Sequence, residues 1–234
     1  MANTNCVFRA YVHSFDELQP LRGGAGQIAV VFAKDRGGNG NFQLDFNVIA
    51  QQIHDFKSEN ENFKFFLSME VIPSISHGLT SPKPSTASQT SSTRYRFDGI
   101  DVYYDQIPVP PAQFVDVMQS VIVGLRERNR RPSLEVSLTV PHPLGQKYYL
   151  PLYNRVQDLI EYVIYQIHST PNPVNDVGQL VRIFDDLPYP AIKLFAGFIT
   201  DCNIIPLLVF IVACIVLFIR GRITGVSVSA ASVV

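Results

Sequence analysis

Short apolar runs alternate along the chain with longer segments whose apolar residues recur at three and four. Val7-Phe8-Arg9-Ala10-Tyr11-Val12 is rich in strand formers. Gln27-Ile28-Ala29-Val30-Val31-Phe32 is nearly continuous in apolar residues, the pattern of a parallel strand buried on both faces. Further strands are predicted at Phe63–Val71, Phe97–Ile107, Ser133–Val140, Ile160–His168 and Ala191–Ile199. Between them, helical spacing is predicted over Asn47–Lys57, Pro111–Arg131 and Val174–Leu187, with a short helix around Tyr148–Arg155. The Pro111–Arg131 segment has the clearest pattern: Phe114, Val117, Met118, Val121, Ile122 and Leu125 share one face behind a favourable N-terminal proline. Strand and helix alternate throughout, which argues for a parallel sheet closed into an α/β barrel of the (β/α)8 type.

Two stretches break the alternation. Residues 77–96 are dominated by Ser, Thr and Pro, with Leu79 and Tyr95 as the sizeable apolar groups, so no amphipathic helix can form there. Parallel neighbours need a crossover that is normally helical. The expectation is a flexible loop and a barrel incomplete on that flank. The second stretch, Ile204–Ile219, is 16 residues without a charge, followed by Arg220 and Arg222. As a helix it would be roughly 24 Å long, a little short of the ~30 Å hydrocarbon layer. It is hydrophobic on every side, which suits burial, another chain or lipid. A barrel helix and a C-terminal single-pass membrane anchor over 204–219 therefore both stand as readings, and the chain divides into 1–203 and 204–234.

Composition narrows the function classes. A chain of 234 residues with 47% hydrophobic content can bury one sizeable core. Its formal net charge of -1 gives no reason to expect nucleic acid as a partner. Arg126, Arg128, Arg130 and Arg131 gather at a predicted helix end, where cations complement the dipole. The three cysteines, Cys6, Cys202 and Cys214, form neither a disulfide framework nor a zinc motif. The glycine clusters at 23–26 and 37–40 are not followed by the Lys and Ser/Thr of a phosphate loop and read as turns. No basic region with an apolar run opens the chain and no Asn-x-Ser/Thr occurs, so a cytoplasmic location is expected.

The candidate chemistry lies in Phe97-Asp98-Gly99-Ile100-Asp101-Val102-Tyr103-Tyr104-Asp105. Alternation along a strand puts Asp101, Tyr103 and Asp105 on one face. Unpaired carboxylates are costly to bury. Either these groups form a catalytic or binding centre at a barrel mouth, or they close the barrel end with hydrogen bonds. A metal held by Asp101, Asp105 and His168 is weakly suggested by spacing, and no metal or other cofactor is expected.

Asp98 to Asp105 resembles the DGxDxDxE strand of glycoside hydrolase family 18, the chitinases and their inactive relatives. The opening Phe8-Arg9-Ala10-Tyr11 and Tyr162-Val163-Ile164-Tyr165-Gln166-Ile167 carry the same likeness, closest to the short, signal-less, narbonin-like plant members. Phe210, Ala213, Cys214, Leu217 and then Gly225–Ser229 resemble that family's seventh helix and eighth strand. The resemblance implies a (β/α)8 barrel lacking the helix after the third strand and the final helix. It implies hydrolysis assisted by the substrate's own N-acetyl group, with a Glu protonating the leaving oxygen. Carried over, the acid is Asp105, the orienting carboxylate is replaced by Tyr103, the steadying Tyr by His168 and the stacking Trp by Ser229. Asp98, Ser68 and Gln166 are retained as substrate-binding positions. Asp105 is one methylene short of Glu, Tyr103 carries no charge at neutral pH, and the chain has no Trp. The implied protein is a chitinase-like barrel without catalysis, serving storage, carbohydrate binding or protein interaction, with a chitin-type oligosaccharide as its ligand. The alternatives are a weak chitinase using Asp105 and a membrane-anchored barrel fragment.

Overall fold

A computed structural model describes residues 6–12, 14–21, 27–34, 43–44, 50–70, 97–128, 134–167, 173–200 and 204–229. Eight parallel strands form the barrel: β1 Val7–Val12, β2 Gln27–Lys34, β4 Lys64–Glu70, β5 Gly99–Tyr103, β6 Glu135–Pro141, β7 Tyr162–Gln166, β8 Leu194–Ile199 and β9 Gly225–Ser229. The two-residue β3, Gln43–Leu44, adds an antiparallel edge to β2. Neighbours follow in the order β2, β4, β5, β6, β7, β8, β9, β1, and β1 also pairs with β2, which closes the ring. Helices α1 Ala50–Glu59, α2 Pro111–Arg128, α3 Leu150–Val156, α4 Val177–Asp185 and α5 Leu207–Ile219 occupy crossovers between the strands. The fold is thus the expected α/β barrel with an incomplete set of helices among the described residues. The loop expected at 77–96 lies outside those residues.

Apolar periodicity accounts for the outer layer. Phe114, Met118, Ile122 and Leu125 of α2 pack on Val102, Val136 and Leu138 of β5 and β6, in a core that runs on through α3, α4 and α5. A second cluster, Val12, Leu18, Ile53, Phe56, Phe63, Phe65 and Leu67, closes the flank under α1. The N-terminus of α4 is capped by Asp176, whose carboxylate accepts the Gln179 N–H at 2.8 Å, the favoured use of an Asx residue there.

Two expectations change here. The central strand ends at Tyr103, so Asp105 stands on a bend beyond it and not on the strand. The Tyr149 hydroxyl causes this. It accepts the Tyr104 N–H at 2.7 Å and donates to the Tyr104 carbonyl at 3.0 Å, taking both groups that would continue the ladder. The membrane-anchor alternative is also corrected: no described helix is long and apolar enough to cross a membrane. At 13 residues, α5 spans roughly 20 Å, and its Phe210, Ala213, Cys214 and Leu217 are buried against the barrel. The segment is a barrel helix followed by the strand β9.

Candidate functional site

Residues of one parity on each strand face the barrel interior. Register carries Arg9 beside Ser227, Ser227 beside Gly197, and Gly197 beside Gln166. On the other side Ser68 lies beside Asp101 and Asp101 beside Ser137. The floor is aromatic, and Gly99 makes room for it: a Cβ there would lie 2.4 Å from the Phe66 ring. The Arg9 guanidinium sits 5.2 Å from the Phe66 centroid and 5.4 Å from that of Tyr11, within the range of cation–π attraction.

Above this floor the interior is organised on Asp101, which is fully buried. Oδ1 accepts from Ser137 Oγ at 2.6 Å and Oδ2 from Tyr11 OH at 2.9 Å and Ser68 Oγ at 3.1 Å. Thr139 Oγ1 lies 2.9 and 3.0 Å from the two oxygens and in hydrogen-bond contact with Tyr11 OH. Arg9 Nη2 is 2.7 Å from Oδ1, with both side chains 0% exposed. That Nη2 contact is ionic, since its N–H vectors are not aligned on the carboxylate. The guanidinium makes its hydrogen bond through Nη1 to Ser137 Oγ at 3.0 Å. Burial works against the Arg9 charge, but the neighbouring Asp101 carboxylate and Tyr11 hold its pKa above the usual value. Burial, then the same carboxylate, pushes the Tyr11 phenol well up. At neutral pH the cluster therefore holds one cation, one anion and a neutral phenol, a paired set that a low-dielectric interior tolerates.

The sequence-derived site residues separate into three groups. Asp101 and Ser68 are brought together in this cluster. Asp98 sits at the opposite, N-terminal end of β5. It receives Lys57 Nζ at 2.6 and 2.7 Å and the Phe65 N–H at 2.9 Å, stapling α1 and β4 to β5. Tyr103, Asp105 and Gln166 lie toward the C-terminal mouth. The Tyr103 ring is tilted 54° to Tyr11 with centroids 6.4 Å apart. Asp105 is exposed. The Gln166 side chain is buried, and its Oε1 has no hydrogen-bond partner among the described residues. Gly197 allows that placement, since a Cβ there would come 2.6 Å from Gln166 Cγ. His168 lies outside the described residues. Among those residues no group of three His, Cys, Asp or Glu side chains is placed to hold a metal.

Arg9, Tyr11, Ser137 and Thr139 were missed as partners of Asp101. A signal existed. A single Arg at an inward position of an otherwise apolar strand must find a carboxylate, and Asp101 is inward on another barrel strand.

No protein-family model matches the chain, and no curated protein does. Solved structures do. The catalytic domain of a family GH18 chitinase from the fern Peteris ryukyuensis superposes with a TM-score of 0.81 at 22% identity, covering 96% of this chain and 92% of that one. The fold is that of a family GH18 chitinase. Concanavalin B matches with a TM-score of 0.62 at 14% identity, covering 96% and 93% of the two chains. Active domain 2 of the thermostable chitinase from Pyrococcus furiosus, solved as catalytic-site mutants complexed with chito-oligosaccharides, matches with a TM-score of 0.66 at 12% identity, covering 96% and 83%. In parallel barrels of this kind the strands' C-terminal ends carry the working groups. That is the end where Tyr103, Asp105 and Gln166 are found.

Proposed function

We propose that this chain is a chitinase-like barrel of glycoside hydrolase family 18 that binds N-acetylglucosamine oligomers at its C-terminal mouth without hydrolysing them. On this reading the chain belongs with the narbonin-like plant members. The observation that carries the proposal is the contrast along β5. Asp101 is fully engaged inside the barrel. The position of the proton donor is filled by Asp105, exposed on the bend after Tyr103. Hydrolysis needs an acid held within hydrogen-bond reach of the leaving oxygen, and a displacement of about 1 Å can cost on the order of a hundredfold. Among the described residues, no hydrogen bond holds the Asp105 carboxylate in one place. Tyr103 in place of the orienting acid removes the charge that would steady the reacting acetamido group.

Binding asks less of the site. Gln166 Oε1 is a buried acceptor with no described partner, suited to an amide N–H or a sugar hydroxyl. Calorimetric titration of the full chain with chitotetraose tests this: saturable heat that weakens on Gln166→Leu is expected, and no heat at millimolar sugar would reject it. A weak hydrolase is the second reading, favoured only because the Asp105 carboxyl is accessible at that mouth.

A further inference from the structure

The polar side chains inside the barrel fall into two sectors. On β4, β5 and β6, Ser68, Asp101, Ser137 and Thr139 are joined by hydrogen bonds. On β1, β9 and β7, by contrast, Arg9 Nε, Ser227 Oγ and Gln166 Oε1 have no hydrogen-bond partner among the described residues. These three residues are 0%, 1% and 2% exposed, so bulk solvent does not reach them. They form one lateral file: Arg9 is in register with Ser227, Ser227 with Gly197, and Gly197 with Gln166. The interior of an eight-stranded barrel is normally filled by side chains, yet this file places a serine and a glycine side by side. The Gln166 stem lies over Gly197, where a Cβ would come 2.6 Å from Gln166 Cγ. Its Oε1 still does not pair with the Ser227 hydroxyl.

We propose that this sector is a site for buried water, one molecule or a hydrogen-bonded pair, bridging Arg9 Nε, Ser227 Oγ and Gln166 Oε1. The chemistry of the three groups selects such a ligand. Arg9 Nε only donates, Gln166 Oε1 only accepts, and the Ser227 hydroxyl does either. The occupant must therefore both accept and donate. Water does so in the smallest volume, and three partners are the coordination usual for a buried molecule. An anion fits less well. The Asp101 carboxylate, 2.7 Å from Arg9 Nη2, already balances that charge, and a further anion would be buried unpaired. The bridge ties Gln166, toward the mouth, to the Arg9–Asp101 pair in the interior. It does not depend on a sugar binding at that mouth.

Two measurements on the full chain test this, and neither involves a sugar. The first is thermal melting of wild type, Ser227→Ala, Gln166→Leu and the double variant. In a dry sector the hydroxyl and the amide oxygen are unpaired, and replacing either with an apolar group raises the melting temperature or leaves it unchanged. With the bridge in place, each single substitution is expected to lower it by about 2–4 °C, the loss of roughly one hydrogen bond in a chain of this size. The double variant is expected to lose clearly less than the two shifts added, because one shared ligand couples positions two strands apart. The second measurement is a high-resolution crystal structure of wild type, expected to show solvent density within hydrogen-bond distance of all three atoms. A melting temperature that Ser227→Ala does not lower overturns the proposal, as do additive shifts or a direct Ser227–Gln166 hydrogen bond. Bromide in that position, located by its anomalous signal, overturns it in favour of an anion site. Should Gln166→Leu fail to fold, Ser227→Ala and the wild-type density still decide.

Discussion

The two carboxylates of β5 and its exit, Asp101 and Asp105, are four residues apart and have opposite fates. Asp101 is enclosed by side chains from β1, β4 and β6 that engage both its oxygens. Asp105 lies in solvent beyond the strand, with no hydrogen bond from any described residue. The difference is one of environment. A buried charge is tolerable only when every neighbour serves it, so the interior site is fixed by the stability of the barrel. An exposed carboxylate makes no such demand, and its position is free to lose the geometry that chemistry needs. On the proposed function, the molecule keeps a hydrolase-type frame without the hydrolase.

The contrast is broken most severely by removing the cation. Arg9→Met leaves Asp101 buried without its countercharge and is expected to cost about 3–5 kcal/mol in urea unfolding. The double variant Arg9→Met, Asp101→Leu should cost clearly less than the two single changes added together, because it removes the uncompensated charge. Next comes the clasp that ends β5. Tyr149→Phe removes the hydroxyl that bonds both the Tyr104 N–H and its carbonyl in a buried site and is expected to cost about 2 kcal/mol.

Titration sharpens the comparison at smaller cost. Burial raises the folded-state pKa of Tyr11 and Tyr149 well above the phenol's ordinary value and that of Tyr165 to about 12. Between about 10 and those raised values the unfolded chain gives up protons that the folded chain keeps, so stability falls as pH rises through that window. Burial lowers the pKa of His142, whose Nδ1 is 2.7 Å from Tyr165 OH. Below about 6.5 the unfolded chain binds the proton first, so stability also falls as the solution is made mildly acid. Thermal melts across pH should show both losses, and His142→Asn should flatten the acid limb alone.

Much of the frame was legible in the sequence because apolar periodicity is a local signal. The run Val7–Val12 is a strand with the expected bounds, and the three-and-four spacing of Phe114 to Leu125 became α2; the strand Gly225–Ser229 was expected from the family resemblance and not from periodicity. Where tertiary contacts decide, the reading fell short. The end of β5 is set by a hydroxyl 45 residues further along the chain. The partners of Asp101 come from strands up to 128 residues apart. The uninterrupted hydrophobicity of Ile204–Ile219 gave no means of telling lipid from barrel. Length decided it, because Pro206 caps the helix and leaves only Leu207–Ile219 helical. The roles of Tyr103, Asp105 and Gln166 belong to the proposed function.

The central claim is that the barrel keeps its frame and has lost its acid. The direct measurement is turnover of a fluorogenic chito-oligomer by wild type and Asp105→Ala, with the variant's stability expected within about 0.5 kcal/mol of wild type because the site is exposed. Equal rates at the level of the uncatalysed control are expected. Wild-type turnover well above that control, abolished in Asp105→Ala, would contradict the claim.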